Sequence, residues 1–381
     1  MIKRVVSILL ILALCTLLSG CWNYRGLNTM SIVAGVAIDR KDDQNYQLTV
    51  EVFDLAASGK ESAGKSQIVE SEGKTIFEAV RNAKKRLTKK LYFGDIQLVV
   101  ISEQIAREEG IQDVLDWFMR NEKARETLST VISQEKTAKE ILTASGVDHK
   151  IISEEIEKIL DADNRTTAST KNIDTFKALN ILKGQKETAL VLPAVHCTDN
   201  QGKKVVEVNG IAVFKADKLQ GYLSPEETHY YLFAVDEIKG GILTFPFEAK
   251  NQKNQDNLSL EISNNKTKKS YSYEENRLKV FLDIKTTAAL GEVGTDIDVS
   301  KKDNIEKIKA AATEVFVQRL EAVIKKTQTE FGCDVFGFNT MIHKKNPVLW
   351  SELKENWNFY IQTMEVEVRP ELVIKNTGLM K

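Results

Sequence analysis

The chain has 381 residues, with 53 Lys and Arg against 54 Asp and Glu, 42% hydrophobic and 28% charged. That is too charged for a polytopic membrane protein and too aliphatic for a disordered one; with 5 Pro and 20 Gly it is neither fibrous nor low in complexity. A formal charge of −1 gives no global field for nucleic acid, and the length suggests two or three domains.

The N-terminus departs from this soluble average. Lys3 and Arg4 precede an apolar run over 5–18, shorter than the roughly 20 residues of a spanning helix and shaped like a secretory signal peptide. Leu18-Ser19-Gly20-Cys21 then resembles the bacterial lipobox. Small residues at 19 and 20 let the backbone enter a peptidase cleft, and the Cys21 sulfur accepts a diacylglyceryl group. Residues 1–20 are thus expected to leave as the leader, and the mature chain carries 51 basic and 54 acidic side chains, net −3. Two acyl chains hold a protein stably on a bilayer where one holds it marginally. Cys15 goes with the leader, so Cys197 and Cys333 remain; they read as free thiols, since one bridge makes no disulfide framework.

Along the mature chain, 31–53 reads as a hairpin. Ile32, Ala34, Val36 and Ile38 alternate, a polar turn follows over 39–45, and Tyr46, Leu48, Val50 and Val52 alternate again. Residues 56–74, rich in Ser, Gly and Lys, read as an exposed loop. Thr75 and Glu78 fit a capping box for a helix with Phe77, Val80, Ala83 and Leu87 on one side, ending near Lys90. A buried strand over 96–101, short helices over 104–109 and 111–119, a strand over 128–133 and a helical turn over 138–142 follow. They form a mixed domain that ends near 193–199.

The second half opens with a strand over 204–215, interrupted at Asn209-Gly210. Polar stretches at 250–257 and 263–270 read as connections, and strands are expected over 258–262 and 278–284. The longest helical signal starts at Asp303 or Asn304 and closes at Gly332. Ile305, Ile308, Ala312, Val315, Leu320, Val323, Ile324 and Phe331 fall near one face. Such a helix spans roughly 40 Å, enough to cross a sheet. Met364, Val366 and Val368 alternate with Glu365 and Glu367 in a final strand. The fold class is α+β and multi-domain, with mixed and antiparallel sheets and packed helices, one of them long. The expected division is 21–200 and 201–381, the latter subdividing near 245–260.

Catalytic signatures are absent from the sequence: no phosphate-binding glycine loop, nucleophile elbow or zinc motif occurs. Ser62/Lys65 and Ser263/Lys266 share an S-x-x-K spacing but lie in polar segments, where chance explains them. His196 and Cys197 are neighbours on a strand and point to opposite faces; His149, His229 and His343 show no ligand spacing. No metal, cofactor or catalytic residue is therefore expected. A basic cluster remains: Arg81, Lys84, Lys85, Arg86, Lys89 and Lys90. On a helix all but Lys84 spread opposite Val80, Ala83 and Leu87. It reads either as a solvated face or, on a lipid-anchored protein, as a face toward anionic headgroups. Asn209-Gly210 suggests a bulge or tight turn, Phe214, Trp350 and Trp357 core anchors, and Asp334 a turn cap.

These pieces carry a resemblance. Cys21-Trp22-Asn23-Tyr24-Arg25-Gly26-Leu27, followed by an apolar strand ending in Ile38-Asp39, is similar to the start of the C-subunit lipoproteins of spore nutrient germinant receptors. Leu91-Tyr92-Phe93, the segment from Val208-Asn209-Gly210 to Phe214-Lys215, Leu219-Gln220-Gly221-Tyr222-Leu223 and Glu227 follow at matching spacing. So do Gln328, Asp334-Val335-Phe336-Gly337-Phe338, Pro347, Trp350 and Trp357. Two positions depart: Gly26 replaces a usual Glu, and Gly94-Asp95 replaces a frequent Ser-His, so no role of that histidine carries over. The resemblance implies a noncatalytic subunit lipid-anchored outside the spore inner membrane. Its partners would be integral membrane A and B subunits, without nucleic acid. It leaves open a second reading, a lipid-anchored solute-binding protein that captures the nutrient itself.

Overall fold

The computed structural model describes residues 4, 29–53, 66–120, 125, 127–148, 151–184, 189–247, 256–293 and 297–376. Cys21, the leader apart from Arg4, Ser62/Lys65, His149 and most of 250–257 lie outside the described residues.

β1 (Met30–Arg40) and β2 (Tyr46–Phe53) form the expected hairpin, with Val36 opposite Val50 and Ile38 opposite Leu48. Asp42 shapes its turn by accepting the N–H groups of Gln44 and Asn45. The loop expected after it gives way, over its described part, to β3 (Ser66–Gly73), which pairs antiparallel with β2. Its inward positions include Ser71, whose hydroxyl donates to the Ala79 carbonyl, so the strand lacks an apolar alternation. Thr75 caps α1 (Ile76–Ala83) by accepting the Glu78 N–H, while the Glu78 carboxylate takes the N–H of Lys74.

α1 ends at Ala83, seven residues short of the expectation. It buries Ile76, Ala79 and Ala83 and leaves Phe77 54% exposed. The N–H groups of Lys84, Lys85 and Arg86 bond three residues back, a tightened last turn. The chain then enters β4 (Lys90–Tyr92), whose parallel pairing with the start of β1 overrides helix propensity. Arg81 is therefore on a helix, Lys85, Arg86 and Lys89 are in the connection, and Lys90 begins a strand.

β5 (Leu98–Ser102), α2 (Glu103–Glu108), α3 (Gln112–Arg120), β6 (Ser129–Ser133) and α4 (Ala138–Leu142) follow. Then come α5 (Ile152–Thr166), α6 (Thr175–Lys183), β7 (Leu190–Asn200), β8 (Lys203–Lys215) and β9 (Lys218–Leu223). The sheet order is β3-β2-β1-β5-β6-β7-β8-β9, with β4 beside β1. β1, β5, β6 and β7 are parallel, and antiparallel strands flank them on both sides. Central parallel strands are covered on both faces and so read as continuous apolar runs. One face packs Val36, Val99 and Leu192 against Ile105, Leu115, Phe118 and Leu179. The other packs Leu98, Val100 and Val131 against Ile141, Ile156 and Leu160. Residues 200 and 201 lie at the turn between the paired strands β7 and β8, so a single sheet runs across that position.

The second sheet follows α7 (Pro225–Ala234). It contains β10 (Ile242–Phe247), β11 (Asp256–Glu274), β12 (Arg277–Glu292) and β13 (Glu365–Asn376), in that order, the last pairing parallel. Residues 263–270, expected as a connection, belong to β11. Their inward side chains include Asn265 and Thr267, which donate to the Phe233 carbonyl, so polar satisfaction replaces apolar alternation there. The long helix α8 (Lys302–Lys326) continues as a π-turn, Thr327–Phe331, and stops at Gly332. Its cap position is Lys301, not Asp303 or Asn304. Ile308, Ala312, Phe316, Leu320, Val323 and Ile324 face the core, Phe316 being the member the periodicity omitted. Short helices α9 (Phe338–Lys345), α10 (Pro347–Leu353) and α11 (Trp357–Thr363) lead into β13. Val191, Ile211, Val213 and Leu223 of the first sheet share one core with α7, α8 and the second sheet.

Candidate functional site

The motif residues are spread over both sheets: Trp350 and Trp357 lie in the core the sheets share, and Phe214 in the first sheet's other core. Asn209 and Gly210 form a bulge in β8, between the pairs Val195↔Val208 and Pro193↔Ile211. Gly210 has φ 81°, and a Cβ there would lie 2.0 Å from the Leu223 carbonyl oxygen, so any side chain would force β9 away. Its carbonyl accepts from the Thr170 hydroxyl at 2.8 Å, and the Asn209 amide donates to Gln134 at 2.6 Å. The bulge thus ties β6, the 167–174 segment and β9 together. Phe214, at the end of β8, is fully buried.

Glu227 completes a capping box with Ser224 at the start of α7 and also takes the Lys326 ammonium at 2.8 Å. Lys326 donates to the Tyr222 carbonyl as well, so the end of α8 is pinned to β9 and α7. Asp334, 2% exposed, accepts the N–H groups of Phe338 at 3.0 Å and Asn339 at 2.7 Å. It caps α9 rather than an isolated turn. Gly337, at φ 70°, supplies the left-handed step that brings both donors round. Burial raises the Asp334 carboxyl and lowers the nearby Lys269 ammonium, which donates to the Phe336 carbonyl. Trp350 and Trp357 are buried edge to face at 5.1 Å. These contacts fix helices.

Other buried carboxylates escaped the sequence reading. Glu51 accepts from Ile152 N, Ser153 N and Oγ, and Ser66 Oγ, fastening α5 to the sheet. Asp39 does the same for α4 through Ala138 N and Lys139 N. Their signal is a carboxylate set among apolar neighbours, beside Ile38 for one and between Val50 and Val52 for the other. At the sheet junction, Lys171 donates to Tyr231 and Glu237. Burial opposes the Lys171 charge, and those two partners more than offset it, holding the ammonium above its ordinary value.

A cleft of about 290 Å³ opens beside this junction, lined by Thr167, Ser169, Glu226, His229, Ile242 and Thr244 among others. His229 is 7% exposed, its Nε2 makes no hydrogen bond, and burial holds it below the usual histidine range. His196 contacts Glu207 and Asn209, while Cys197 reaches the Glu140 carbonyl; Cys197 and Cys333 are both free. Burial pushes both thiols up to about 11. Among the described residues no group of three or more His, Cys, Asp or Glu is placed to hold a metal ion. None of their helices is long and apolar enough to cross a membrane.

Comparison with known proteins places these features in a family. The description "Spore germination protein N-terminal domain" matches residues 23–196, and "Spore germination B3/GerAC like, C-terminal" matches 209–378. The chain belongs to the spore germination B3/GerAC-like family. It is similar to spore germination protein KC of Bacillus subtilis (strain 168), 25% identical over 402 residues, covering 100% of this chain and 97% of that one. Spore germination protein B3 of the same strain is 25% identical over 363 residues, covering 93% and 92%. The crystal structure of the GerBC protein matches with a TM-score of 0.58 at 19% identity, over 90% of this chain and 97% of that one. That likeness shows the α+β fold with two mixed sheets. The two family matches leave 197–208 between them, the end of β7 and the first part of β8.

Proposed function

We propose that this germination-family chain is a noncatalytic, lipid-anchored subunit of a spore nutrient germinant receptor. It is held on the outer face of the spore inner membrane by a diacylglyceryl group on Cys21 and docks there with integral membrane A and B subunits. The observation that carries this reading is the match of both halves of the family pattern in order, over 23–196 and 209–378, on a chain whose first residues resemble a leader and lipobox. The motif residues support a scaffold role, since Gly210, Glu227, Asp334 and the Trp350–Trp357 pair all hold the two sheets and their helices in one arrangement. Fractionation of spores carrying Cys21→Ala tests the anchor. The wild-type chain is expected in the membrane fraction with a lipid-modified N-terminus, and the variant in the soluble fraction with a weakened nutrient response. A variant that stays on the membrane and germinates normally would refute it.

The His229 cleft favours a second reading, in which this subunit captures the nutrient itself. Calorimetry of the delipidated chain against amino acids and sugars decides it. Absence of both heat and thermal stabilisation at millimolar ligand excludes that reading.

A further inference from the structure

We infer that the basic connection between α1 and β4 is a contact surface for anionic lipid headgroups and sets how the protein stands on the bilayer. This rests on the lipid-anchored reading above. The decisive placement is a strand register. β4 pairs parallel with the first residues of β1, Met30 opposite Lys90, Ser31 opposite Leu91 and Ile32 opposite Tyr92. Cys21 stands nine positions before Met30, and nine residues reach at most about 30 Å even fully extended. A lipid on Cys21 would thus be tethered to the fold at the start of β1, the end that carries the basic connection.

The charge there is unspent. Arg81, Lys84, Lys85, Arg86 and Lys90 are exposed and Lys89 is half-buried. Among the described residues none of the six pairs with a carboxylate; Lys84 and Arg86 instead donate to backbone carbonyls of Leu87, Thr88 and Glu70. Acidic neighbours are engaged elsewhere. Glu70 pairs with Lys139, Glu72 with Lys41 and Asp95 with Arg125, while Glu78 accepts the Lys74 N–H at the helix start. Phe77, 54% exposed, lies under the Arg81 guanidinium at 4.8 Å, one turn away on the same helix face. An exposed aromatic ring beside cations suits the boundary between headgroups and acyl chains. The mature chain carries a net charge of −3, so it is this patch, and not the whole molecule, that an anionic surface attracts. A Debye length of about 8 Å confines that attraction to groups close to the headgroups.

The test uses the mature chain with Cys21→Ser, so that no acyl chain contributes. Sedimentation with vesicles of phosphatidylcholine alone is compared with vesicles containing 30% phosphatidylglycerol, a ratio of about one anionic lipid in three chosen to mimic a charged leaflet. The expected result is salt-sensitive binding to the anionic vesicles only, weakened about tenfold or more when Lys84, Lys85, Lys89 and Lys90 are changed together to Gln. A control with the same charge change, Lys302, Lys325, Lys344 and Lys375 to Gln, is expected to bind like the parent. Circular dichroism confirms that both variants fold. The inference is overturned if the parent ignores anionic vesicles, if the first variant binds unchanged, or if the control loses as much. The mass of the N-terminal peptide from membranes reports separately whether Cys21 is lipidated, so failure of the anchor and failure of the surface are distinguishable.

Discussion

Asp334 offers the sharpest test of how the C-terminal helices are held. Changing it to Ala strands the N–H groups of Phe338 and Asn339, both buried and both bonded to its carboxylate at 3.0 and 2.7 Å. Each buried donor left without a partner costs about 1–3 kcal/mol. Relief of the carboxylate's own burial, which makes it a weaker acid than an ordinary Asp, works in the other direction. The net expected loss for Asp334→Ala is about 2–4 kcal/mol, and for Asp334→Asn, which keeps one acceptor, about half that. Urea unfolding followed by tryptophan fluorescence suits the assay, because Trp350 and Trp357 share a core with Phe338 and Ile342 of α9. A loss under about 0.5 kcal/mol for Asp334→Ala, or a larger loss for Asn than for Ala, would refute the capping argument.

Two further outcomes follow from buried groups. Burial pushes the Cys197 and Cys333 thiols up to about 11, so at pH 8 both are protonated, and Cys333 is 3% exposed besides. An aromatic disulfide reagent is expected to label Cys333 only after denaturation and Cys197 slowly; immediate reaction of both in the folded chain would contradict the burial argument. His229 is held below its ordinary value of 6.5, so below that pH the unfolded chain binds a proton that the folded chain refuses. Its contribution is complete above pH 6.5 and is lost as pH falls through that value toward the folded one, by up to about 1.4 kcal/mol per pH unit. Stability measured between pH 7 and 5.5 should fall less steeply in His229→Gln; identical slopes would exclude His229 as the source.

What sequence could reveal was set by how local each interaction is. The β1–β2 hairpin and α8 carry their own period; α8 buries its apolar face, whereas the hairpin is buried on both faces, Thr49 and Glu51 included. β3 and the middle of β11 do not, because Ser71, Asn265 and Thr267 turn inward and are satisfied by backbone carbonyls from Ala79 and Phe233. The end of α1 was illegible for a different reason. Nothing between Ala83 and Lys90 announces that residues 90–92 will pair with residues 30–32. The carboxylates of Asp39 and Glu51 were missed because their partners, at Ala138 and Ile152, lie 99 and 101 positions away. Conversely, the family motifs were visible as residues but not as a structure. Only the fold shows that Gly210 clears the Leu223 carbonyl and that Glu227 meets Lys326.

A chain that works as one subunit of a membrane receptor must be recovered together with its membrane partners. The most direct measurement is crosslinked co-purification from spore membranes, with an affinity tag at the C-terminus and quantitative mass spectrometry of the recovered proteins. Two multi-span membrane proteins are expected in fixed ratio with the chain, and are expected to be lost from the eluate when Cys21→Ala releases it. Recovery of the wild-type chain alone from intact membranes would rule out a receptor subunit.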